Sequence, residues 1–294
     1  MARLKKIILL LMLAVALAKG WQLVTDGFRL DKITEELPPL SEETSAAALA
    51  ALQQPFFYLD KGCQAYVFQS LDQKYVLKLV RYHKYRPPFW VHFLKWPAKA
   101  DSYRQARLAH RQKSRRTSLR SYLIAGSALQ AETAILHVHL GQTENLLPVK
   151  FCLIDRLGRK SYLDLNNVGF ILQKKVIPLQ QQLYALKKQD DREGLRAVFA
   201  KFLQSYTGIC KKGFVIRDYN CVKNSGLAEG EVVGMDVGSF FPQKGLQQYD
   251  CYEEELRHFS KHFKKWLVKH YPACSACYEE EIQKALKAYE QEAL

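Results

Sequence analysis

Phe214-Val215-Ile216-Arg217-Asp218-Tyr219-Asn220 is followed by Asn224 and then by Gly234-Met235-Asp236-Val237-Gly238. Asp218 stands on an Arg-Asp turn after an apolar run, and Asp236 in an Asp-x-Gly turn after Glu231-Val232-Val233. Two carboxylates placed in this way suit phosphoryl transfer. One can orient an acceptor hydroxyl while the other holds magnesium. Read without that chemistry, each is a turn or cap residue.

Such a pair needs phosphate-binding partners, and the first half of the chain offers them. Leu59 to Val67 places Gly62 and the small Ala65 in a strand–turn–strand, with Val67 two positions beyond Ala65. Small residues let a hairpin backbone approach phosphates closely. One glycine is a thin signal, and an isolated hairpin would be structural. Val76-Leu77-Lys78 puts a lysine inside an apolar strand, where its ammonium must snorkel or find an anion.

The elements that must position these residues follow from periodicity. Phe56–Lys61, Ala65–Ser70 and Tyr75–Val80 are short aromatic and β-branched runs between turns, the pattern of meandering strands. A basic insertion with Pro and Trp follows at about 82–115. A long helix is then expected over roughly Arg116 to Leu140, on which His137 and His139 would face apart. Strand character returns at Leu147–Asp155 and Tyr162–Lys174. Beyond Pro178 the apolar residues recur at helical spacing, from Leu195 through Val198, Phe199, Phe202 and Tyr206 to a stop at Gly213. Leu256, Phe259, Phe263 and Trp266 repeat that stripe, and a last helix starts near Tyr278. Strands first and helices second make an α+β chain.

Composition narrows the classes. A length of 294 residues, with 25% charged, describes a globular protein with a sizeable core and not a disordered one. The formal net charge of +15 favours an anionic partner: a nucleotide, an acidic membrane surface or acidic acceptor, with nucleic acid least favoured. Arg104 to Arg120 holds much of the excess and reads first as a solvated face. Arg3, Lys5 and Lys6 precede an apolar run from Ile7 to Ala18, with Ala16-Leu17-Ala18 as an A-x-A cleavage pattern. Residues 1–20 are therefore expected to be a signal peptide or an N-terminal membrane anchor, and 21–54 a linker. Seven scattered cysteines do not form a disulfide framework. Cys274 and Cys277 have metal or redox spacing but nothing to complete a zinc site. His258 and His262, at i and i+4, are expected on a wet face beside Lys261, Lys264 and Lys265.

In order and spacing, the Gly62 hairpin, Lys78, the long helix, the later strands, Arg217-Asp218 and Asp236-Val237-Gly238 resemble the protein-kinase-like superfamily over roughly Phe56 to Phe240. The resemblance implies a bilobal fold. Its N-terminal lobe, about 55–176, is an antiparallel sheet with one long helix, and its C-terminal lobe, about 177–294, is helical. It implies ATP and Mg2+ as cofactors. Gly62, Ala65 and Val67 would cover the nucleotide, Lys78 would hold its α/β phosphates, and Glu132 on the long helix would pair with Lys78. Gln173 to Ile177 would be the hinge against adenine, and Asp218, with Arg217 before it, the catalytic-loop base. Asp236 would bind magnesium, with Asn224 or Asn220 taking the family's metal-binding asparagine role.

The departures are specific. Asp60 and Ala65 stand where the family has the first and third loop glycines. Ile216 replaces the histidine before Arg-Asp, Lys223 occupies the usual asparagine position, and no Ala-Pro-Glu follows. The short segment after Asp236 resembles small-molecule and lipopolysaccharide-core kinases more than regulated protein kinases. Three functions follow: an active phosphotransferase acting on an unknown hydroxyl acceptor, a lipid-linked sugar or a protein; a pseudokinase-type binding scaffold; or a basic membrane-associated interaction protein without catalysis.

Overall fold

Aromatic and β-branched residues build the first sheet because its central strands bury most of their residues. The computed structural model describes residues 2–41, 43–93 and 98–293. They divide into two units, Met1–Gln112 with His137–Leu172, and Lys113–Leu136 with Gln173–Leu294.

The first unit opens with α1 (Ala2–Val24) and the short α2 (Ala46–Ala51). The expected meander follows as β1 (Phe56–Lys61), β2 (Ala65–Ser70) and β3 (Tyr75–Val80). After α3 (Ala98–Ser127) and α4 (Gln130–Thr133) come β4 (Ile135–His139), β5 (Phe151–Ile154), β6 (Lys160–Leu163) and β7 (Phe170–Lys174). These make a seven-stranded sheet in the order β4-β7-β3-β2-β1-β5-β6. Neighbours β1–β2, β2–β3 and β5–β6 are antiparallel, while β1 and β5 are parallel.

Residues 25–40, expected as linker, form a strap on this sheet. Phe28 is buried with its ring 5.2 Å from both Tyr66 and Phe68, and Ile33 is fully buried. Thr34 bridges to Val168 and Pro39 to Gln142. Asp26 accepts hydrogen bonds from Tyr58 Oη at 3.1 Å and Arg156 at 2.7 Å, directly after α1. The helix Arg3–Val24 is long and apolar enough to cross a membrane, a property shared by anchors and signal sequences.

The long helix lies earlier than expected. It covers Ala98–Ser127, so much of the basic segment read as an insertion is helical, with Arg107, Lys113, Arg116 and Arg120 each exposed. The chain turns at Ala134 (φ 52°) and continues as β4, because Ile135 and Val138 are β-branched and the strand pairs with β7. On a strand, residues two apart share a face. His137 and His139 therefore do not face apart: they are buried together, rings 6.1 Å apart and stacked.

The second unit contains β8 (Ile177–Pro178), α5 (Leu179–Lys188), α6 (Arg192–Lys211), β9 (Phe214–Ile216), α7 (Cys221–Asn224), β10 (Ser225–Ala228), β11 (Glu231–Gly234), β12 (Phe240–Pro242), α8 (Tyr249–His270) and α9 (Ser275–Ala293). Asp191 caps α6 by accepting the Gly194 N–H at 2.8 Å, and Gly213 ends the turn after it at φ +80°. The apolar stripe of α6 meets that of α8: Tyr206 stacks on Phe259 at 3.7 Å, and Phe202 meets Phe263 at 4.6 Å. Tyr278 of α9 closes this core 4.9 Å from Phe263. Each such buried ring contributes about 1.5–3 kcal/mol by leaving water. The fold is α+β, with a sheet-rich N-terminal part, one long helix and a helical C-terminal part.

Candidate active site

Strand pairing brings the two aspartate loops together. β9 ends immediately before Arg217-Asp218, and β12 begins soon after Asp236-Val237-Gly238. The strands pair antiparallel with Phe240 opposite Ile216 and Phe241 opposite Val215. Arg217 N–H donates to Ser239 O at 3.0 Å, extending the ladder to the base of both loops. Ile216, just before Arg217, serves this ladder by pairing with Phe240.

Asn224 ties the same loops from the other side. Its carbonyl accepts the N–H of Met235 at 2.6 Å and of Asp236 at 3.3 Å. The turn of α7 sets this register, since Asn220 O accepts the N–H groups of Lys223 and Asn224. Asn224, rather than Lys223 before it, is thus the residue joined to the Asp236 turn. Ser121 of α3 completes the support. Fully buried, it donates to Val237 O at 2.5 Å and accepts from Phe240 N–H at 2.8 Å.

Both aspartates close Asx turns. Asp218 Oδ1 accepts Asn220 N–H at 3.0 Å, and Asp236 Oδ1 accepts Gly238 N–H at 3.1 Å. Among the described residues neither Oδ2 has a hydrogen-bond partner, so each carboxylate keeps an oxygen for a ligand. Asp236 is exposed and Asp218 half-buried. Asp236, Asn224 and Asn220 offer oxygen donors only, the set a hard cation such as Mg2+ takes and a structural zinc does not.

A buried carboxylate that sequence reasoning missed anchors the Asp218 loop. Glu255, on α8, accepts from Arg217 Nη1 at 3.0 and 3.1 Å and from Tyr206 Oη at 2.7 Å. Burial works against the Arg217 charge, but the bonds and charge of Glu255 outweigh it and raise the guanidinium's pKa. The signal was present: Glu255 interrupts the apolar stripe of Tyr252, Leu256 and Phe259. Two cysteines near these loops are not nucleophiles, since burial pushes the thiols of Cys210 and Cys221 up to about 12.

In the first unit, Val67 and Lys78 are cross-strand partners in β2 and β3, and Ala65 pairs with Val80. Gly62 N–H donates to Ala65 O at 2.9 Å, closing the hairpin. Arg81, also missed, holds the tip: its Nη1 donates to Gly62 O at 2.6 Å while its guanidinium lies 4.8 Å from the Tyr66 ring centre. Gly62 has no left-handed φ, and an added Cβ would come no nearer than 3.4 Å to Ala65 O. Its conformation does not require glycine.

Glu132 does not lie on the long helix. It belongs to α4 and pairs with Lys212 Nζ at 2.7 Å, its side chain largely buried. Gln173, first residue of the expected hinge, ends β7. Its amide donates to Gly234 O at 2.8 Å and to Thr133 O. Cys277 accepts from Arg196 Nε at 3.1 Å, and among the described residues no three His, Cys, Asp or Glu side chains gather around a metal position.

Cavities open in the second unit, of which a larger and a smaller one bear on the site. One of about 680 Å³ lies among α6, α9 and β11 and includes Glu132 but neither aspartate. The other, about 240 Å³, is lined by the residues following Asp218 and by one face of α8. His258 and His262 pack on Tyr219, with ring centres at 5.0 and 4.3 Å. His258 is exposed as expected, but His262 is half-buried against Tyr219.

No family model and no curated protein matches the chain. Among solved structures it is similar to a crystal structure of WbdD: 13% identical, over 80% of this chain and 50% of that one, with a TM-score of 0.39. WbdD with the kinase inhibitor LY294002 gives 14% identity, 78% and 45% coverage and 0.39. A further structure, described as the bifunctional kinase-methyltransferase WbdD, gives 14%, 78%, 47% and 0.36. The chain spans about half the length of these structures.

Proposed function

We propose that this chain is an ATP- and Mg2+-dependent phosphotransferase acting on a hydroxyl acceptor. The observation that carries the reading is the convergence of the Asp218 loop, Asn224 and the Asp236 turn through β9–β12 pairing and the Asn224 carbonyl. Asp218 Oδ2 takes the acceptor's proton as its oxygen bonds to the γ-phosphorus. The bond from that phosphorus to the bridging β–γ oxygen breaks, and ADP leaves. Asp236, with Asn224 or Asn220, would hold Mg2+, which when bound offsets phosphate charge. Glu255 and Arg217 keep the Asp218 loop in place, and Lys78 and the Gly62 hairpin serve the nucleotide phosphates. The apolar α1 directs the chain to a membrane, as an anchor or as an export signal.

Two observations favour a second reading, a nucleotide-binding scaffold. The Gly62 hairpin has no need of glycine, and Glu132 is engaged by Lys212. Phosphate transfer separates the two. Asp218→Ala should lower turnover about a hundred- to ten-thousand-fold while nucleotide affinity stays unchanged. Turnover absent from the native chain rules for the scaffold, and turnover that survives the substitution removes Asp218 as the base.

A further inference from the structure

The smaller cavity of the second unit differs from the larger one in the state of its lysines. In the larger cavity each lysine has an acid: Lys201 pairs with Glu231 at 3.1 Å, Lys284 with Glu281 at 2.8 Å, and Lys211 with Glu292. Lys223, Lys265 and Lys269 line the smaller cavity, which has no acidic residue in its wall. Among the described residues none of the three forms an ion pair. Clustered cations that form no ion pair favour a bound anion.

Tyr219, His262 and Trp266 give the wall a packed aromatic part beside Asn220, Cys221 and Val222. His262, Lys265, Trp266 and Lys269 fall at i, i+3, i+4 and i+7 along α8 and so share one face. Tyr219 stacks on His262 at 4.3 Å with ring planes 9° apart. Trp266 is packed by His270 at 4.6 Å and Tyr271 at 5.3 Å. Burial, then the charges of His258, Lys261 and Lys265, lowers the His262 pKa, as a positive surrounding requires. A fixed aromatic wall offers a flat apolar surface at little cost in side-chain entropy.

We infer that this pocket is the acceptor subsite and binds a phosphorylated sugar ring, its phosphate on Lys223, Lys265 and Lys269 and its ring against Trp266 and Tyr219. The inference rests on the reading of Asp218 as the acceptor's base, because Tyr219 and Asn220 follow Asp218 directly and also line the pocket. A phosphate monoester carries about −1.5 to −2 charge near neutral pH, which suits a lysine cluster. At about 240 Å³ the pocket is smaller than a drug-sized site. It therefore accepts one phosphate and one ring and not an extended chain. A free sugar phosphate and the phosphorylated ring of a lipid headgroup present the same chemistry.

The test is binding by the full-length chain without nucleotide, so that it stands whether or not ATP is turned over. The probes are glucose 6-phosphate, glucose and inorganic phosphate, together with phosphatidylcholine vesicles carrying phosphatidylinositol 4-phosphate. Glucose 6-phosphate or the vesicles should bind at least about tenfold more tightly than glucose or inorganic phosphate, and which of the two binds identifies the source. Lys265→Glu with Lys269→Glu should weaken that binding by about tenfold or more. The equally charge-changed Lys188→Glu with Lys287→Glu should shift it less than about twofold. No preference for the phosphorylated ring, or equal losses in both double variants, overturns the subsite. Subsite binding with no ATP turnover would remove the catalytic reading alone.

Discussion

The aspartate loops of the helical part and the Gly62 hairpin of the sheet part are held by different kinds of constraint. Around Asp218 and Asp236 the backbone is over-determined by β9–β12 pairing, two N–H groups on Asn224 O, buried Ser121 and the Glu255–Arg217–Tyr206 cluster. The hairpin is held by its own closing bond and by Arg81, and nothing in its geometry demands Gly62. Fixed groups aimed at a reacting centre are what phosphoryl transfer needs, since its catalysis is mostly positioning and electrostatics. The difference teaches that chemical constraint in this chain is concentrated in the second unit. The Gly62 hairpin can do without its glycine at little structural cost.

The contrast can be broken at three strengths. The largest effect belongs to Glu255→Ala, which strips Arg217 and the buried Tyr206 hydroxyl of their acceptor at once. With Arg217 still 34% exposed, the loss should be about 2–3 kcal/mol in chemical denaturation, accompanied by reduced turnover. A change below about 0.5 kcal/mol would show that the loop does not depend on this cluster.

A smaller effect is expected at the strap beside the hairpin. Burial works to raise the Asp26 carboxyl, but Tyr58, Arg156 and Lys61 together hold it below the usual 3.8. Because the folded pKa is depressed, its stabilisation is present above the unfolded value and lost as pH falls through the folded one. Amide exchange at Asp26–Phe28 should therefore quicken only below about pH 3.8, by less than about 1 kcal/mol of local opening. Acceleration already near neutral pH would mean that the carboxylate does not pin the strap. The smallest effect is Gly62→Ala, expected within about 0.5 kcal/mol and without loss of nucleotide affinity. A large loss there would restore the hairpin to equal standing with the aspartate loops.

Much of this was legible in the sequence, for identifiable reasons. The β1–β3 meander and the α6 and α8 stripes announced themselves because one periodicity dominated each. The long helix was misplaced because Ile135 to His139 reads equally as helix or strand until β7 is there to pair with it. Glu132, expected on that helix, consequently lies on α4 instead, beside Lys212. The aspartate loops were legible as residues but not as a site, since the Asn224 carbonyl and Ser121 act through backbone bonds that no side-chain motif encodes. The strap at Phe28 and Ile33 looked like linker because too few apolar residues show there to give a period. Lys265 looked like part of a solvated face, and only its lack of an ion pair among the described residues distinguishes it from Lys201 and Lys211.

The central claim is that Asp236, tied to Asn224 and facing the Asp218 loop, makes this a magnesium-dependent nucleotide site. The most direct measurement is ATP binding with and without Mg2+ by the chain lacking residues 1–18, compared with the same chain carrying Asp236→Asn. The account predicts Mg2+-dependent binding that the substitution weakens about tenfold or more. Equal binding by both proteins, or none by either, would contradict it.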